Sequence, residues 1–544
     1  MMALRKVFRG RGSHLLCLIL VSVSATQAAD LPRFRAENGA AQLLVHGKPF
    51  LILGGELGNS SAGMAAQADA ILPAMSRLHL NTILMPVAWE EVEPKEGVFD
   101  FSNLDHWIDV ARGQHLHLVL LWFGAWKNAF SEYAPDWVKG DTKRFPRAQL
   151  AHGVPTEILS TFGTETVRAD GRAFRSAMAH LREKDQEQQT VLMVQVENEM
   201  GYLGPGRDRS PEADRQFDGP VPQELLAGLA ARRGELSPEL AAHFNPQGRA
   251  WREVFGDASG EVFMAWRYAI FVNSVAEAGK REYSLPMYVN AQLPSLMERP
   301  GEYPSGGPHP YYLAVYRAMA PAIDFYSPDI YWPEFEYWVK RYQIPGNPIF
   351  IPEAKMDSAA WNALYAFGAA KAIGFCPFAI ESLPPAGPGD SEPAIMQVYA
   401  AISSLADVLP AAQSAGRTRG LALRANSPRA SQTVALGGYL FEASLSRAWS
   451  TGALQTNDGG MLLIESRPDE FLVVGSGLTV KMSRDPDADS KICGIASIEE
   501  VSRTGEEWVV SARLNGDQSN QGRQLSMDPR KIRTYRVRLY SVPQ

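Results

Sequence analysis

The chain contains few cysteines, three in 544 residues. Cys17 lies in an apolar N-terminal segment, which leaves Cys376 and Cys493 far apart in the rest of the chain. We interpret these two as free thiols, although an exported protein would be permitted a disulfide. No group of Cys and His has the spacing of a zinc site, and there is no His-Glu-x-x-His motif. The sequence therefore implies neither a metal ion nor another cofactor.

The chain also lacks an excess of positive charge. Its formal net charge is −7 and its pI is about 5.9, so we predict no nucleic-acid partner. The apolar stretch at residues 15–21 is too short to span a bilayer comfortably. It follows a basic start and precedes small residues, the pattern of a secretory signal peptide. We predict a signal peptide over residues 1–29, export to the periplasm or the medium, and no membrane anchor after cleavage.

Short apolar runs alternate with helical patterns between residue 50 and about residue 380. The eight runs cover residues 50–55, 81–87, 117–123, 190–197, 285–291, 322–330, 347–353 and 372–380. They are nearly continuous in apolar character, as strands covered on both faces should be. Eight such units predict an α/β fold, a (β/α)₈ TIM barrel. A doubly wound sheet would alternate in the same way, but no Gly-rich phosphate loop follows the first run.

Two regions depart from the barrel pattern. Residues 203–260 are rich in Pro, Gly, Arg and Glu, and they predict an insertion within a barrel domain of residues 30–410. This insertion is either a solvent-exposed segment without a role in the site or a wall of the substrate cleft. From residue 415 to 544, short runs bounded by turn residues predict a β-sandwich domain.

Acids, amides and aromatic side chains fall at the ends of the predicted strands, where barrel enzymes hold their catalytic groups. In the stretch Val194–Gly201, an apolar run leads into Asn198 and Glu199, and a later run ends in Glu353. Two carboxylates on converging strand ends are what glycoside hydrolysis requires. Either acid alone would be better explained as a salt-bridge or capping residue. As a pair, Glu199 and Glu353 are predicted to be catalytic.

Other strand-end side chains are candidates for substrate contact. They are Asn198, Glu56, Trp89, Trp122, Asn128 and Tyr331. Sugar rings stack on aromatic side chains, but Trp89 and Trp122 are equally well explained as core residues. Tyr331 either donates a hydrogen bond to the nucleophile or packs. Glu56 follows two glycines at the end of the first strand, where a buried acid favours ligand contact.

Residues 40–380 resemble glycoside hydrolase family 35, the retaining β-galactosidases of a large clan of barrel enzymes. The most specific element is Val194-Gln195-Val196-Glu197-Asn198-Glu199, which matches the fourth-strand motif of the family. Leu53-Gly54-Gly55-Glu56 resembles the first-strand motif, and residues 89–101 resemble the second-strand region. The resemblance implies that Glu199 is the acid/base and that Glu353 is the nucleophile.

Several positions depart from that family. Gly58-Asn59 replaces a His-Tyr pair, and Pro86 replaces a sugar-binding Tyr. Trp126-Lys127-Asn128 occupies the region of a motif that contains Glu, and Ala354 replaces an aromatic residue. The chain therefore resembles a divergent bacterial branch with a β-rich C-terminal domain.

The resemblance implies a retaining exo-β-galactosidase acting on oligosaccharides, with galactosylated xyloglucan fragments as one candidate. Two alternatives stay open at this point. One is another retaining exo-β-glycosidase of the same clan, and the other is a carbohydrate-binding protein that has lost catalysis. The presence of both Glu199 and Glu353 argues against the second alternative. The sequence does not indicate an oligomeric state.

Overall fold

The computed structural model describes residues 31–383, 392–426, 431–448, 450–485 and 491–543. The predicted signal peptide lies outside these residues. Within them, none of the helices combines the length and the apolar character needed to cross a bilayer. Cys376 and Cys493 are free thiols, as predicted.

The described chain begins with an antiparallel three-stranded sheet that the sequence analysis did not predict. Its strands are β1 (Arg33–Glu37), β2 (Ala40–Val45) and β3 (Lys48–Phe50). Leu43 and Val45 of β2 are buried in the same cluster as the inward-facing residues of the barrel. The sheet thus closes one end of the barrel, and the opposite end remains for the site.

Residues 52–377 contribute ten strands. They are β4 (Ile52–Glu56), β5 (Thr82–Ala88), β6 (His117–Phe123), β7 (Arg147–Gln149), β8 (Pro155–Leu159), β9 (Val191–Val196), β10 (Met287–Gln292), β11 (Phe325–Ile330), β12 (Phe350–Ala354) and β13 (Gly374–Pro377). All except β7 and β8 form a closed parallel barrel in the order β10-β11-β12-β13-β4-β5-β6-β9. Every residue of β5 and β9 is buried, because helices cover the outside and side chains fill the inside. The eight predicted strands and the TIM barrel are therefore confirmed.

Fifteen α-helices are present in the described ranges. They are α1 (Ala65–Ser76), α2 (Trp89–Val92), α3 (Ser102–Gly113), α4 (Asp136–Lys139), α5 (Thr164–Asp185), α6 (Pro211–Phe217), α7 (Gln223–Ala231), α8 (Pro238–His243), α9 (Trp251–Phe255), α10 (Ser259–Lys280), α11 (Leu313–Met319), α12 (Phe335–Tyr342), α13 (Ala359–Gly368), α14 (Ala394–Ser403) and α15 (Leu409–Ser414). The predicted insertion holds the short helices α6 to α9. Ser210 and Ser237 cap two of them, each followed by a proline at the first helical position.

The C-terminal part forms two antiparallel sheets. Its strands are β14 (Thr418–Arg424), β15 (Ser431–Leu436), β16 (Tyr439–Leu445), β17 (Asp458–Arg467), β18 (Glu470–Ser476), β19 (Leu478–Arg484), β20 (Lys491–Thr504), β21 (Glu507–Leu514), β22 (Gln524–Ser526) and β23 (Arg533–Pro543). The sheet orders are β14-β17-β18-β23-β20-β21 and β15-β16-β19-β22. One buried apolar cluster draws on both sheets, which confirms the predicted β-sandwich.

The larger C-terminal sheet packs on the flank of the barrel against α13. Leu462 and Ile464 of β17 are buried in the same cluster as Leu364 of α13. The approach is close enough to need glycine: a Cβ on Gly420 would lie 2.6 Å from the carbonyl oxygen of Leu364. Because α13 follows β12, this packing brings the end of β14 near the mouth of the barrel.

Candidate active site

Four buried acids meet at the open end of the barrel. Glu56 ends β4, Asp329 lies in β11, Glu353 lies in β12, and Glu199 follows β9. Asp329 and Glu353 are paired in register on neighbouring strands. One carboxylate oxygen from each of Glu199, Asp329 and Glu353 lies within 4.8 Å of the others. The structure thus brings the predicted catalytic pair together.

Three side chains donate hydrogen bonds to Glu353. The Tyr331 hydroxyl donates to Oε2 at 2.7 Å. The amide groups of Asn198 and Asn290 donate longer bonds to Oε1, at 3.4 and 3.5 Å. These contacts fix the orientation of the carboxylate, as suits a group that attacks a single carbon atom. Of the two alternatives for Tyr331, the structure shows the hydrogen bond to Glu353.

Glu199 is held from two sides. The Asn128 side chain donates to its Oε2, and the backbone N–H of Glu199 donates to the Asn290 Oδ1 at 3.0 Å. Burial, followed by the charge of Glu353, raises the pKa of Glu199 to about 7. The charge of Lys127 and the hydrogen bonds of Asp329 and Asn128 act in the opposite direction. Glu199 is therefore able to hold a proton near neutral pH and to give it up.

Glu56 and Asp329 are further acids of the same cluster. Burial, and then the charge of Glu353, raises the pKa of each well above its usual range. Each acid therefore keeps its proton to a higher pH than an exposed carboxyl group does, and in the acid form Asp329 is able to donate to Glu199 and Glu56 to Glu353. No other donor of the described chain reaches an oxygen of Glu56. Glu56 thus has bonding capacity left for a ligand.

Lys127 supplies positive charge to this cluster. Its side chain is buried, and the carboxyl groups of Glu353, Glu199, Glu56 and Asp329 act on its ammonium group, in that order. Burial alone would lower the pKa of Lys127, but the four carboxyl groups of the cluster outweigh burial and the pKa rises. A permanent cation among several buried acids reduces their mutual repulsion.

The set Glu199, Asp329 and Glu353 has the hard oxygen donors that Mg²⁺ or Ca²⁺ prefers. However, the hydrogen bonds within the set need a proton on Asp329, and Lys127 already provides a cation beside Glu353. We interpret the cluster as one that shares protons, so the fit to a metal ion is poor.

Backbone strain accompanies the site. Glu197 and Glu199 have φ of 63° and 45°, and Asn128 and Ala129 have φ of 50° and 64°. Left-handed conformations are costly for residues other than glycine and cluster at functional sites. Here they turn the chain after β9 and β6 so that Glu199 and Asn128 meet. Glu197 has a supporting role, because its Oε2 accepts a hydrogen bond of 2.8 Å from the backbone N–H of Trp126.

Two predicted substrate contacts are corrected. Trp89 and Trp122 are buried in the large apolar cluster outside the barrel interior. The Trp89 Nε1 donates to Glu93 at 3.0 Å, and the Trp122 Nε1 donates to Asp170 at 2.8 Å. Neither indole is free to stack on a sugar. Both are core residues, the alternative that their sequence context allowed.

The remaining candidates reach the acid cluster. Asn198, Asn128, Tyr331 and Glu56 each contact Glu199 or Glu353, or lie against them. The Oδ1 of Asn198 is buried and has no partner in the described chain, so it is free to accept a hydrogen bond.

Three residues of the site were not assigned a role from the sequence: Lys127, Asn290 and Asp329. Asn290 and Asp329 end predicted strands, and the Asn290 Nδ2 donates to Asp329 at 2.7 Å. Their position at strand ends was the available signal. For Lys127 the signal was a lone cation between Trp126 and Asn128.

Comparison with known proteins supports the class of enzyme. Residues 62–227 match the glycoside hydrolase family 42 model described as β-galactosidase, and residues 395–526 match a domain of unknown function, DUF5597. The first match includes Glu199 but not Glu353. No curated protein matches the chain.

Among solved structures, the β-galactosidase from Rahnella sp. R3 is 15% identical, with 67% of this chain and 57% of that chain covered and a TM-score of 0.45. The β-galactosidase from Bacillus circulans sp. alkalophilus is 13% identical, with 66% of this chain and 57% of that chain covered and a TM-score of 0.45. The β-mannanase from the blue mussel Mytilus edulis is 12% identical, with 68% of this chain and 95% of that chain covered and a TM-score of 0.41. The chain spans less than two thirds of the length of these two β-galactosidases.

The matching family model is that of family 42, so membership of family 35 stays a prediction. The family 42 match and the strand-end acids agree on a coarser assignment. They support a barrel enzyme of the glycoside hydrolase class.

Proposed function

We propose that this protein is a retaining exo-glycoside hydrolase that releases terminal β-galactose from oligosaccharides by double displacement. The observation that carries the proposal is the spacing of Glu199 and Glu353, whose nearest oxygens lie within 4.8 Å. Retaining enzymes hold their two carboxyl groups about 5–5.5 Å apart, whereas inverting enzymes leave about 6.5–9.5 Å for a water molecule. A spacing this short supports the retaining mechanism.

In the first step, an oxygen of Glu353 attacks the anomeric carbon and forms a glycosyl ester. Glu199 gives its proton to the glycosidic oxygen, so the bond to the leaving group breaks and the leaving group departs as an alcohol. The pKa of Glu199, raised to about 7, keeps enough of the acid form for this role.

The ester changes the electrostatics for the second step. Once Glu353 is esterified its negative charge is gone, and with it one cause of the raised pKa of Glu199. Glu199 then stays ionised more readily, because its charged form is no longer repelled, and its carboxylate acts as the base that takes a proton from the attacking water. The hydroxide attacks the anomeric carbon, Glu353 leaves as a carboxylate, and the sugar is released with its configuration retained.

Polar groups that remain available suit the sugar hydroxyls. The Asn198 Oδ1 is positioned beside Glu353 to accept a hydrogen bond from the hydroxyl next to the reacting carbon. Glu56 and Lys127 supply further donors at the bottom of the site. Galactose is proposed because of the family 42 match and the resemblance to family 35, and export to the periplasm or the medium stays a prediction.

The test is a panel of nitrophenyl β-glycosides, with the first-formed anomer of the product identified by NMR. We expect the galactoside to be the best substrate and the β-anomer to form first. Azide should rescue Glu199→Ala by forming a β-glycosyl azide, and it should rescue Glu353→Ala, if at all, by forming the α-azide. Inversion by the wild type, or exchange of the two azide products, would contradict the mechanism. Preference for another glycoside would contradict only the assignment of galactose as the cleaved sugar, and not the mechanism.

A further inference from the structure

A groove of about 690 Å³ lies between the mouth of the barrel and the C-terminal sheets. We call it the interdomain groove. The residues that line it include Tyr331, Trp332, Lys355, Arg424, Asn457 and Asp458. The first three follow β11 and β12 of the barrel, and the others lie at the ends of β14 and β17. The volume is within the range of about 300–1,000 Å³ that is usual for ligand sites.

The groove adjoins the acid cluster at Tyr331. The Tyr331 hydroxyl donates to Glu353 at 2.7 Å while the same residue lines the groove. Tyr331 and Trp332 are both 38% exposed, which is high for large aromatic side chains. A ligand in the groove would therefore be separated from Glu353, the proposed nucleophile, by the side chain of Tyr331 alone.

The walls of the groove are fixed. The guanidinium of Arg424 donates to the Pro333 carbonyl at 3.2 Å and to the Asn362 Oδ1 at 3.0 Å. These bonds join the end of β14 to the barrel. On the barrel side, the Trp332 Nε1 donates to the Leu293 carbonyl at 2.9 Å. A site whose walls are already held in place loses little entropy when it binds a ligand.

The barrel order separates two sides of the site. Glu199 follows β9 and Glu353 lies in β12, with β10 and β11 between them on the short arc. Glu56 and Lys127, the polar groups left for the cleaved sugar, lie on the long arc at β4 and after β6. Trp332 follows β11 on the short arc. The part of the substrate beyond the cleaved bond must leave on the side opposite to the cleaved sugar, toward Trp332.

We propose that the interdomain groove binds the sugar residues of a neutral oligosaccharide leaving group, so that the C-terminal domain forms part of the substrate site. This rests on the proposed function. The exposed indole suits the apolar face of a pyranose, and the Arg, Asn and Asp side chains suit hydroxyl groups. Cations and anions are mixed here, with Lys355 3.4 Å from Asp357, which favours an uncharged glycan.

The test compares kcat/KM on nitrophenyl β-galactoside, which has no sugar beyond the cleaved bond, with kcat/KM on a galactose-terminated tetrasaccharide. Trp332→Ala should lower the value for the tetrasaccharide by roughly tenfold and the value for the aryl galactoside by much less. Asn457→Ala, which changes an exposed side chain of the C-terminal domain, should lower only the tetrasaccharide value, by about threefold. Asn457 separates loss of binding from any local unfolding caused by loss of the indole.

Phe130→Ala is the matched control. Phe130 is 43% exposed and lines a different pocket, of about 750 Å³, beside Lys139 and Arg147. We expect this variant to leave both substrates unchanged. A selective tetrasaccharide defect in Phe130→Ala and not in Trp332→Ala would overturn the proposal, as would equal defects of Trp332→Ala on both substrates. If the wild type cleaves neither galactoside, the proposed function itself fails.

Discussion

At the scale of single residues, the proton on Glu199 depends on the charge of Glu353. Because that charge raises the pKa of Glu199, Glu353→Gln should lower the pKa of Glu199 below the wild-type value of about 7. Titration of ¹³C-labelled glutamate by NMR measures this directly. Glu381→Gln is the control, since Glu381 bonds to the Gly58 N–H at 2.9 Å and is absent from the groups that act on Glu199. An unchanged titration in Glu353→Gln would contradict the coupling.

The same proton sets the alkaline limit of activity. Glu199 must be protonated to act as the acid, so kcat/KM should fall as the pH rises through about 7. Lys127 lowers the pKa of Glu199, so Lys127→Met should move this limit to a higher pH while it reduces the maximal rate. The measurement is the pH profile of kcat/KM on nitrophenyl β-galactoside. Lys139→Met is the matched control, because Lys139 pairs with Glu90 at 2.9 Å instead. A profile that Lys127→Met does not move would exclude Lys127 from the electrostatics of the site.

These residues also show where sequence reasoning stopped. Glu199 and Glu353 could be predicted because each ends an apolar run with an acid, which costs energy unless it has a use. Lys127 could not be assigned, since its role depends on acids from four other strands that meet only in the closed barrel. The Trp residues were ambiguous because the sequence does not say which side of a strand end faces the helices.

At the scale of elements, β9 and α5 are joined by two buried acids, Glu197 and Asp170. In its acid form Glu197 donates a hydrogen bond to the Asp170 carboxylate. Burial, followed by the charge of Asp170, raises the pKa of Glu197 well above its usual range. Gly124 allows this approach, since a Cβ there would lie 2.6 Å from Glu197 Oε1 and 2.8 Å from Asp170 Oδ1.

This pair should make stability depend on pH. Folding raises the pKa of Glu197 above its unfolded value of about 4.5. The stability that this acid contributes is therefore complete at a pH below its unfolded pKa. That stability is lost as the pH rises through its folded pKa. Glu197→Gln keeps a hydrogen-bond donor without this dependence. The free energy of unfolding should therefore fall less steeply in the variant than in the wild type, by up to about 1.4 kcal/mol per pH unit.

Urea denaturation from pH 5.5 to 8.5 measures the slope. Other buried acids with raised pKa values, such as Glu56 and Asp329, keep part of the dependence in the variant. Glu165→Gln is the control, because Glu165 makes its ion pair with Arg168 on the exposed face of α5. Equal slopes for wild type and Glu197→Gln would show that the pair does not titrate in this range.

Elements differed in how well the sequence predicted them. The barrel strands were clear because strands buried on both faces are continuous apolar runs. The first hairpin was missed although Asn38-Gly39, with φ of 49° and 79°, has the residues that a tight hairpin turn favours. Strand β14 does not show as an apolar run in the sequence because Arg419 and Arg424 interrupt it. In the structure both side chains donate to carbonyl oxygens, those of Thr418 and Pro333.

At the scale of the whole molecule, the sequence predicted two domains but not the face on which they meet. That face depends on backbone contact: a Cβ on Gly368 would lie 2.4 Å from the Arg419 carbonyl oxygen, and one on Gly420 would lie 2.6 Å from that of Leu364. A sequence shows these only as two glycines, one ending a helix and one inside a strand. Their consequence is that the end of β14, with Arg424, is held at the mouth of the barrel.

This contact gives the last prediction. Gly420→Ala must push β14 away from α13, because the obstructing atom is a backbone oxygen that cannot rotate aside. We expect a loss of about 1–3 kcal/mol in the free energy of unfolding. We also expect a larger fall in kcat/KM on the tetrasaccharide than on nitrophenyl β-galactoside, since the acids stay in the barrel while the groove widens. Gly113→Ala is the control, because Gly113 ends α3 with no atom within 4 Å of an added Cβ. Gly420→Ala could lose stability while the ratio of kcat/KM on the tetrasaccharide to kcat/KM on the aryl galactoside stays constant. That outcome would show that the position of the C-terminal sheet does not affect binding of the leaving group.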